Sequence, residues 1–518
     1  MKVDKLPFDQ VQRFAPIFLD YLADDPALRD FYHHRPTIEG FGDLLKERKL
    51  DTATRKVLAD VLTEQYQAVE PYERVQQNID RLRQNNTFTI TTGHQLNLFT
   101  GPLYFIFKIV TVINACRQLR QAHPDYQFVP VYWMATEDHD FEEINHFHLF
   151  GKKHTWESNQ TGPVGRFKTA GMDVFLKSIA EPIDVFRKAY TENETLAGAC
   201  RQYVNELFGE EGLIVIDADD HRLKSLFAPI MESDIRGQKA HQLVAATNQG
   251  LIDAGYKSQA FSREINFFYI QDGLRERIEQ KGDLFAVKNT DLNWSEDELV
   301  QKISEHPECF SPNVIMRPLY QETILPNLGY VGGPAEMAYW LQLGEVFKHY
   351  ETSFPILLPR NFGVVIDHVA ARKIEKVGLD NPSLFKDAHE LKERMLLQIG
   401  DDHLLDDDRE ALQGVFEKIR EKAVKIDGSL DGYVGAQGTH VLKTLENVQR
   451  KLRRAKENKN DIAMNQIDDI KERLFPNGGL QERFENFLTF QIHNPNFTSD
   501  LLVDFDPFDL KFHLLWQE

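Results

Sequence analysis

The chain has no run of about 18 uncharged apolar residues, and no apolar leader follows its charged start MKVDKLPFDQ. We therefore expect a soluble, unprocessed protein with no membrane partner. Cysteine is scarce: Cys116, Cys200 and Cys309 are odd in number, far apart and never in a CxxC pair. This excludes a disulfide framework and CxxC-type zinc, and it fits a reducing cytoplasm. Basic charge is also short, with 60 Lys and Arg against 80 Asp and Glu and a formal net charge of −20. Such a balance argues against nucleic acid as a partner, while leaving a local pocket for a small anion open. At 518 residues the chain exceeds what one core usually organises, so two or three domains are expected.

What is present begins with TFTITTGHQLNLFTGPLYFIFKIVTVINACRQLR, residues 87–120. Thr87 to Thr91 are β-formers, and Leu103, Ile106, Phe107, Val110 and Ile113 recur at helical spacing. The spacing predicts a buried strand, a polar turn bracketed by Gly93 and Gly101, and a helix. Glycine admits close backbone approach, and the free amides of the following helix favour an anion. His94, Gln95, Asn97 and Thr100 supply side-chain donors there. The turn GHQLNLFTGP has neither the GxxxxGK[ST] nor the GxGxxG pattern, so a P-loop nucleotidase or dinucleotide oxidoreductase is not expected. Its strand–turn–helix shape is closer to class I nucleotidyltransferases.

A second apolar strand, Phe128 to Trp133, delivers Glu137, Asp138, His139 and Asp140, followed by Glu142, Glu143, His146 and His148. Ligands of open α/β sheets bind at that strand edge. His139 titrates nearest neutrality and suits a general base; carboxylates and histidines also suit a divalent ion, and a solvated capping turn is the bland alternative. LIVIDADD at 213–220 reads as a strand whose aspartates cap a helix beginning near His221. Further strands are expected at INFFYI (265–270) and NVIMRPLY (313–320). GYVGGPAEMAYW then forms a second glycine turn, with Gly329, Gly332 and Gly333 ahead of Glu336, and Ile356 to Leu358 make a strand closing in Arg360 and Asn361. Three polar turns placed after strands can converge on one sheet edge, which is the argument for an enzyme.

Five segments are expected. Residues 1–150 hold N-terminal helices and the first half of an α/β core; 151–205 are an insertion; 206–384 carry the second half with a further insertion; 385–475 form an antiparallel coiled coil; 476–518 return to the core. In the coiled coil, Leu412, Phe416, Ile419, Ala423, Ile426, Leu430 and Tyr433, then Val441, Leu445, Val448, Leu452 and Ala455, alternate at spacings of four and three or three and four. GYVGAQGTH between them is expected to reverse the chain. A stripe this long predicts a homodimer, and RKLRRAK at 450–456 reads as a solvated face.

Taken together, TGHQLNLFTGPLYFIFK, PVYWMATEDHDFEEINH, GYVGGPAEMAYW, LPRNF and LFPNGGLQER resemble the BshC family of bacillithiol biosynthesis, cysteine-adding ligases, over nearly the whole chain. The resemblance implies a Rossmann-like parallel-sheet core similar to class I aminoacyl-tRNA synthetases, with connecting-peptide insertions and a C-terminal α-helical coiled coil that dimerises. It implies an amide-forming carbon–nitrogen ligase that joins cysteine to the amine of glucosaminyl malate. A carboxylate must be activated before it forms an amide, and ATP with Mg2+ is the expected source. Amides near Gly93 and Gly101, with His94, Gln95 and Asn97, would then hold the activated anion. Lys108 or Arg360 would offset negative charge, Asp138 or His139 would deprotonate or orient the amine, and Tyr104, Trp133 and Tyr330 would wall the pocket. No resident metal is expected, and no KMSKS-like lysine loop stands out. Two other readings stay open: a metal-dependent hydrolase or deacetylase built on Glu137, Asp138, His139 and His146, and a non-catalytic dimeric nucleotide-binding scaffold.

Overall fold

Five apolar runs build a parallel sheet in the computed structural model, which describes residues 1–399 and 405–517. They are β1 (Thr87–His94), β2 (Gln127–Met134), β3 (Ile214–Asp217), β4 (Asn327–Gly332) and β5 (Ile356–Pro359), in the order β5-β4-β1-β2-β3. Every pairing is parallel, and the carboxyl ends come level: His94 lies beside Met134, Met134 beside Asp217, and Gly332 beside Pro359. Both faces are covered, which is why the strands read as unbroken apolar or threonine-rich runs and not as alternating ones. The core over β1 includes Phe88, Ile90, Val112, Cys116, Leu328 and Leu358. The hydroxyls of Thr89 and Thr91 both donate to Asn327 Oδ1, at 3.0 and 2.9 Å, so buried polar atoms knit β1 to β4. From β1 the chain adds strands on one side and later returns to β1's other flank. That makes the β1/β4 edge the topological switch point, where open α/β sheets bind ligands.

After β1 comes α1 (Tyr104–Ala122), buried along most of its length, and after β3 comes α2 (His221–Gly237). The Asp220 carboxylate accepts from the amides of Arg222 and Leu223, so the capping reading of this aspartate is the observed one. Between β2 and β3 lie the hairpin His146–Leu149/Lys152–Thr155 and helices that include Leu196–Phe208.

Of the two further strands expected, one is present and one is not. Phe267–Gln271 is a strand, but it belongs to a separate antiparallel sheet with Leu274–Lys281, Leu284–Val287, Asn293–Ser295 and Phe310–Pro312. Residues 313–320 do not form a strand: Met316–Ile324 is a helix, capped by Asn313 Oδ1 on the amides of Ile315 and Met316. Pro318 sits in its first turn, where proline is tolerated, and the segment is short and buries polar Gln321 and Glu322 beside its apolar residues, so periodicity could not distinguish the two. The helix α3 (Pro334–Trp340) starts directly after β4.

The chain divides into two compact units, one of residues 3–364 with 481–515, and one of residues 365–480. In the second, Asp406–Ile426 and Leu430–Leu474 run side by side. The reversal falls at Asp427–Ser429, where the Asp427 carboxylate accepts from the Ser429 amide. GYVGAQGTH lies inside the second helix instead of turning the chain. Glycine inside a helix costs about 1 kcal/mol relative to alanine. At Gly438 there is a return, because a Cβ there would come within 3.2 Å of the Phe416 ring, so its absence lets the two helices close. The heptad stripe remains largely uncovered in one chain: Ile419 is 44 % exposed, Tyr433 64 % and Val448 45 %. Within RKLRRAK, the side chains of Arg453 and Lys456 lie outside the described residues.

Candidate active site

At the carboxyl edge of β1 and β4 a cavity of about 650 Å3 opens between the parallel sheet and the antiparallel one. Gly93, His94 and Gln95 come from the first turn, Trp133, Glu137 and Asp138 from the second, Tyr330, Gly333 and Glu336 from the third, and Arg360 from the end of β5. Tyr104 and Lys108 reach it from α1. The three turns thus meet.

Lys108 ties two of them together. Its Nζ donates to the Gly93 carbonyl at 2.9 Å and pairs with Glu336 Oε2 at 2.6 Å, while Glu336 also accepts from the Tyr330 hydroxyl and the Gly333 amide. Burial opposes the charge on Glu336, but Lys108 outweighs it and holds the carboxyl below its usual range; burial pulls the Lys108 ammonium down in turn. Arg360 is buried against Glu482, whose other oxygen accepts from the Gly363 amide. Both cations that the sequence offered for a ligand's charge are therefore already neutralised.

His94 differs from expectation. Its Nδ1 lies 2.8 Å from the Gln95 carbonyl, which can only accept, so the hydrogen is on Nδ1 and Nε2 is a bare lone pair without a partner. Burial and the nearby Lys108 charge push this imidazole down to about 4. A neutral ring with that tautomer cannot donate to an activated anion.

Gln95 is held by its amide, which donates to Asp138 Oδ2 at 2.7 Å and Glu143 Oε2 at 2.8 Å. Burial disfavours the charge on Asp138, yet hydrogen bonds from His139 and Gln95 and the charge of Arg275 outweigh it and keep the carboxyl well below the usual range. An acid this strong orients an ammonium better than it removes a proton. His139 is half exposed outside the cavity wall, and its Nδ1 accepts from Arg275 at 2.9 Å, which puts its hydrogen on Nε2 and leaves no lone pair for base work. Glu137 lines the cavity but is paired at 2.6 Å with Lys224, which also holds Asp219. Burial raises the Glu137 carboxyl against that pairing.

Asn97, Thr100, Gly101, Gly332 and Asn361 do not line the cavity. The Asn97–Gly101 loop wraps the Asn486 side chain, which donates to the carbonyls of Phe99 and Gly101, and the Leu103 amide donates to the Glu485 carbonyl. The start of α1 is thereby covered by residues from the far end of the sequence. Its amides do not form the anticipated anion cradle. Asn361 is structural, bonded to Thr111 and to the Asp506 carbonyl.

Basic residues replace that cradle. Lys108, Arg263, Arg275, Arg277, Arg317, Arg360 and Arg483 line the cavity against Glu137, Asp138 and Glu336, seven bases to three acids in a chain of net charge −20. Sequence reading missed five of them. Arg275 and Arg277 alternate on one strand and so share a face, the one signal that pointed to them; Arg317 was hidden in the misread 313–320 segment. Arg275 also packs its guanidinium 3.9 Å from the Phe268 ring centroid. Among the described residues no three His, Cys, Asp or Glu side chains are grouped to hold a metal ion, so the donor set of a metal-dependent hydrolase is not assembled. No described helix is long and apolar enough to cross a membrane.

Comparison with known proteins places this cavity in context. The family described as bacillithiol biosynthesis BshC, N-terminal Rossmann-like domain, matches residues 1–361, and its C-terminal coiled-coil domain matches residues 363–516. The chain belongs to the BshC family. Relatives carrying the provisional name cysteine ligase BshC include one from Cytophaga hutchinsonii, 41 % identical over 98 % of this chain and 97 % of that protein. Another, from Christiangramia forsetii, is 39 % identical over 99 % of both chains, and one from Chlorobaculum tepidum is 29 % identical over 97 % of this chain and 96 % of its own. The Rossmann-like domain of BshC is the one that carries the cavity, apart from Arg483, which the C-terminal match supplies.

Proposed function

We propose that this BshC protein joins L-cysteine to the free amine of glucosaminyl malate, forming an amide in the last step of bacillithiol synthesis. Family membership and the cysteine-ligase names of its relatives support a ligase. The observation that carries the substrate reading is the excess of cations in the cavity of an otherwise acidic chain. Cysteine has one carboxylate and the malyl group two, and guanidinium groups are the side chains best matched to them.

ATP, brought in with Mg2+, is the proposed co-substrate; it would supply the energy to activate the cysteine carboxyl before the amine attacks. The arginines of the antiparallel sheet, Arg275 and Arg277, are the candidates to hold its phosphates, since the glycine turn is closed. In this reading Asp138 orients the attacking amine, and Tyr104, Trp133 and Tyr330 wall the pocket. The bare Nε2 of His94 could only accept a hydrogen bond from a ligand and does not stabilise an anion. We further propose that two chains pair through the uncovered heptad stripe and that the protein works in the cytoplasm.

Mass spectrometry of purified protein with cysteine and glucosaminyl malate, with and without ATP and magnesium, tests the reaction. Bacillithiol formed only with ATP, alongside AMP, is the expected result. Product without ATP removes the nucleotide step, and binding of both substrates with no turnover favours the scaffold reading.

A further inference from the structure

Of the three cations held deep against the parallel sheet, Lys108 and Arg360 have a counter-charge and Arg317 has none. Arg317 stands on the Met316–Ile324 helix and lines the cavity, with Trp133, Tyr330 and Trp340 ring centroids 5.8, 5.6 and 5.9 Å from its guanidinium carbon. Its Nη1 donates to Gln321 Oε1 at 3.0 Å, whereas Nη2 is sealed from solvent and has no hydrogen-bond partner. No carboxylate among the described residues lies within ion-pair distance of it. The two nearby acids are committed elsewhere: Glu336 to Lys108, Tyr330 and Gly333, and Glu322 to Gln321 and Asn327. A guanidinium stays charged at any physiological pH, and holding it this deep without an anion is unfavourable unless something that binds there supplies one. The backbone leaves room, since Gly93 has no side chain and a Cβ there would lie 3.7 Å from Arg317 Nη1 and 3.3 Å from the Tyr330 hydroxyl.

We propose that Arg317 is the carboxylate anchor of this cavity, the residue whose free N–H groups take the carboxylate of the small acid on which the protein acts. The proposal rests on the ligase reading for the identity of that acid, which is either cysteine or the malyl group of the acceptor. Planar, paired N–H donors match a carboxylate, and the aromatic rings behind them fix the guanidinium plane while excluding water. Lys108 and Arg360 cannot take this part because Glu336 and Glu482 already occupy them.

Titration calorimetry on the full chain, wild type and Arg317→Gln, with L-cysteine, cysteamine, glucosaminyl malate, L-malate and ATP as separate ligands, is the test. A charge-assisted hydrogen bond is worth enough to predict a loss of about 10- to 100-fold in affinity for the carboxylate ligand. Loss for cysteine but not for cysteamine, which lacks the carboxyl, assigns the anchor to cysteine. Loss for glucosaminyl malate and malate assigns it to the acceptor. Arg317→Lys should recover only part of the affinity, because an ammonium lacks the fork, and it serves as the probe if the Gln variant does not fold. The ligand-free variant should melt no lower than wild type, since an unpaired buried charge has been removed. Unchanged affinity for every carboxylate, loss for ATP alone, equal loss for cysteine and cysteamine, or a lower melting point with intact binding each overturns the anchor. Wild type that binds malate through Arg317 yet forms no product overturns the ligase reading and leaves the anchor standing.

Discussion

Around the cavity of the first unit, the cations of the ion pairs are buried: Lys108 and Arg360 are 3 % and 2 % exposed, and Arg360's partner Glu482 is fully buried. Along the paired helices of the second unit they stand in water, as with Arg420 and Asp431, or Arg409 and Glu446. The same residue types therefore have different consequences. A buried pair is held by partners from distant parts of the sequence, and removing one member strands the other in a poor solvent for charge. A solvent-exposed pair is screened and adds little. The first unit uses its charges to shape a site, and the second leaves much of its heptad stripe uncovered.

The largest effect that would break this comparison is loss of a buried partner. Glu482→Ala, leaving Arg360 unpaired, should destabilise the first unit by about 3–5 kcal/mol, read from urea denaturation. Arg420→Ala on the exposed pair should leave the denaturation midpoint within error, and a clear shift there would refute the contrast. Next is acid sensitivity. His94 is held near 4 in the folded chain against an ordinary value near 6.5, so the unfolded chain binds its proton first as pH falls. The His94 contribution is full above the ordinary value and loses about 3 kcal/mol between pH 6.5 and 4, so stability in that window should fall more steeply in wild type than in His94→Gln. His513, likewise pushed down to about 4 by burial, adds to that decline, whereas Glu322, raised to about 7 by burial, opposes it. A smaller effect is expected at the helix crossing: Gly438→Val forces a side chain against Phe416 and should cost about 1–3 kcal/mol, seen in thermal unfolding by circular dichroism. The smallest effect on the first unit comes from the stripe. Val448→Glu with Leu452→Glu should convert dimer to monomer in analytical ultracentrifugation while leaving the melting of the first unit unchanged.

Legibility followed the same division. The strands Thr87–His94 and Gln127–Met134 were readable because a strand buried on both faces needs an uninterrupted β-forming run, and a helix with a heptad stripe carries its period on its face. Met316–Ile324 was not readable, since a short helix that buries Gln321 and Glu322 along with its apolar residues shows no clean polar face to reveal its period. The turn in the helical pair was misplaced because three glycines signal a break locally, whereas contact with Phe416 is what one of them serves.

Composition and pattern by themselves determined the parallel-sheet core, the long heptad helices, and the convergence of three polar turns on one sheet edge, because local periodicity and strand-end chemistry are written in neighbouring residues. Only the tertiary structure decided what those turns meet. Glu485 and Asn486 close the start of α1, Arg275 and Arg277 arrive from an inserted sheet, and Arg317 is left without a counter-charge. Each of these depends on residues far apart in sequence being brought within a few ångströms, and the energy of a charge is set by that neighbourhood and not by its place in the chain.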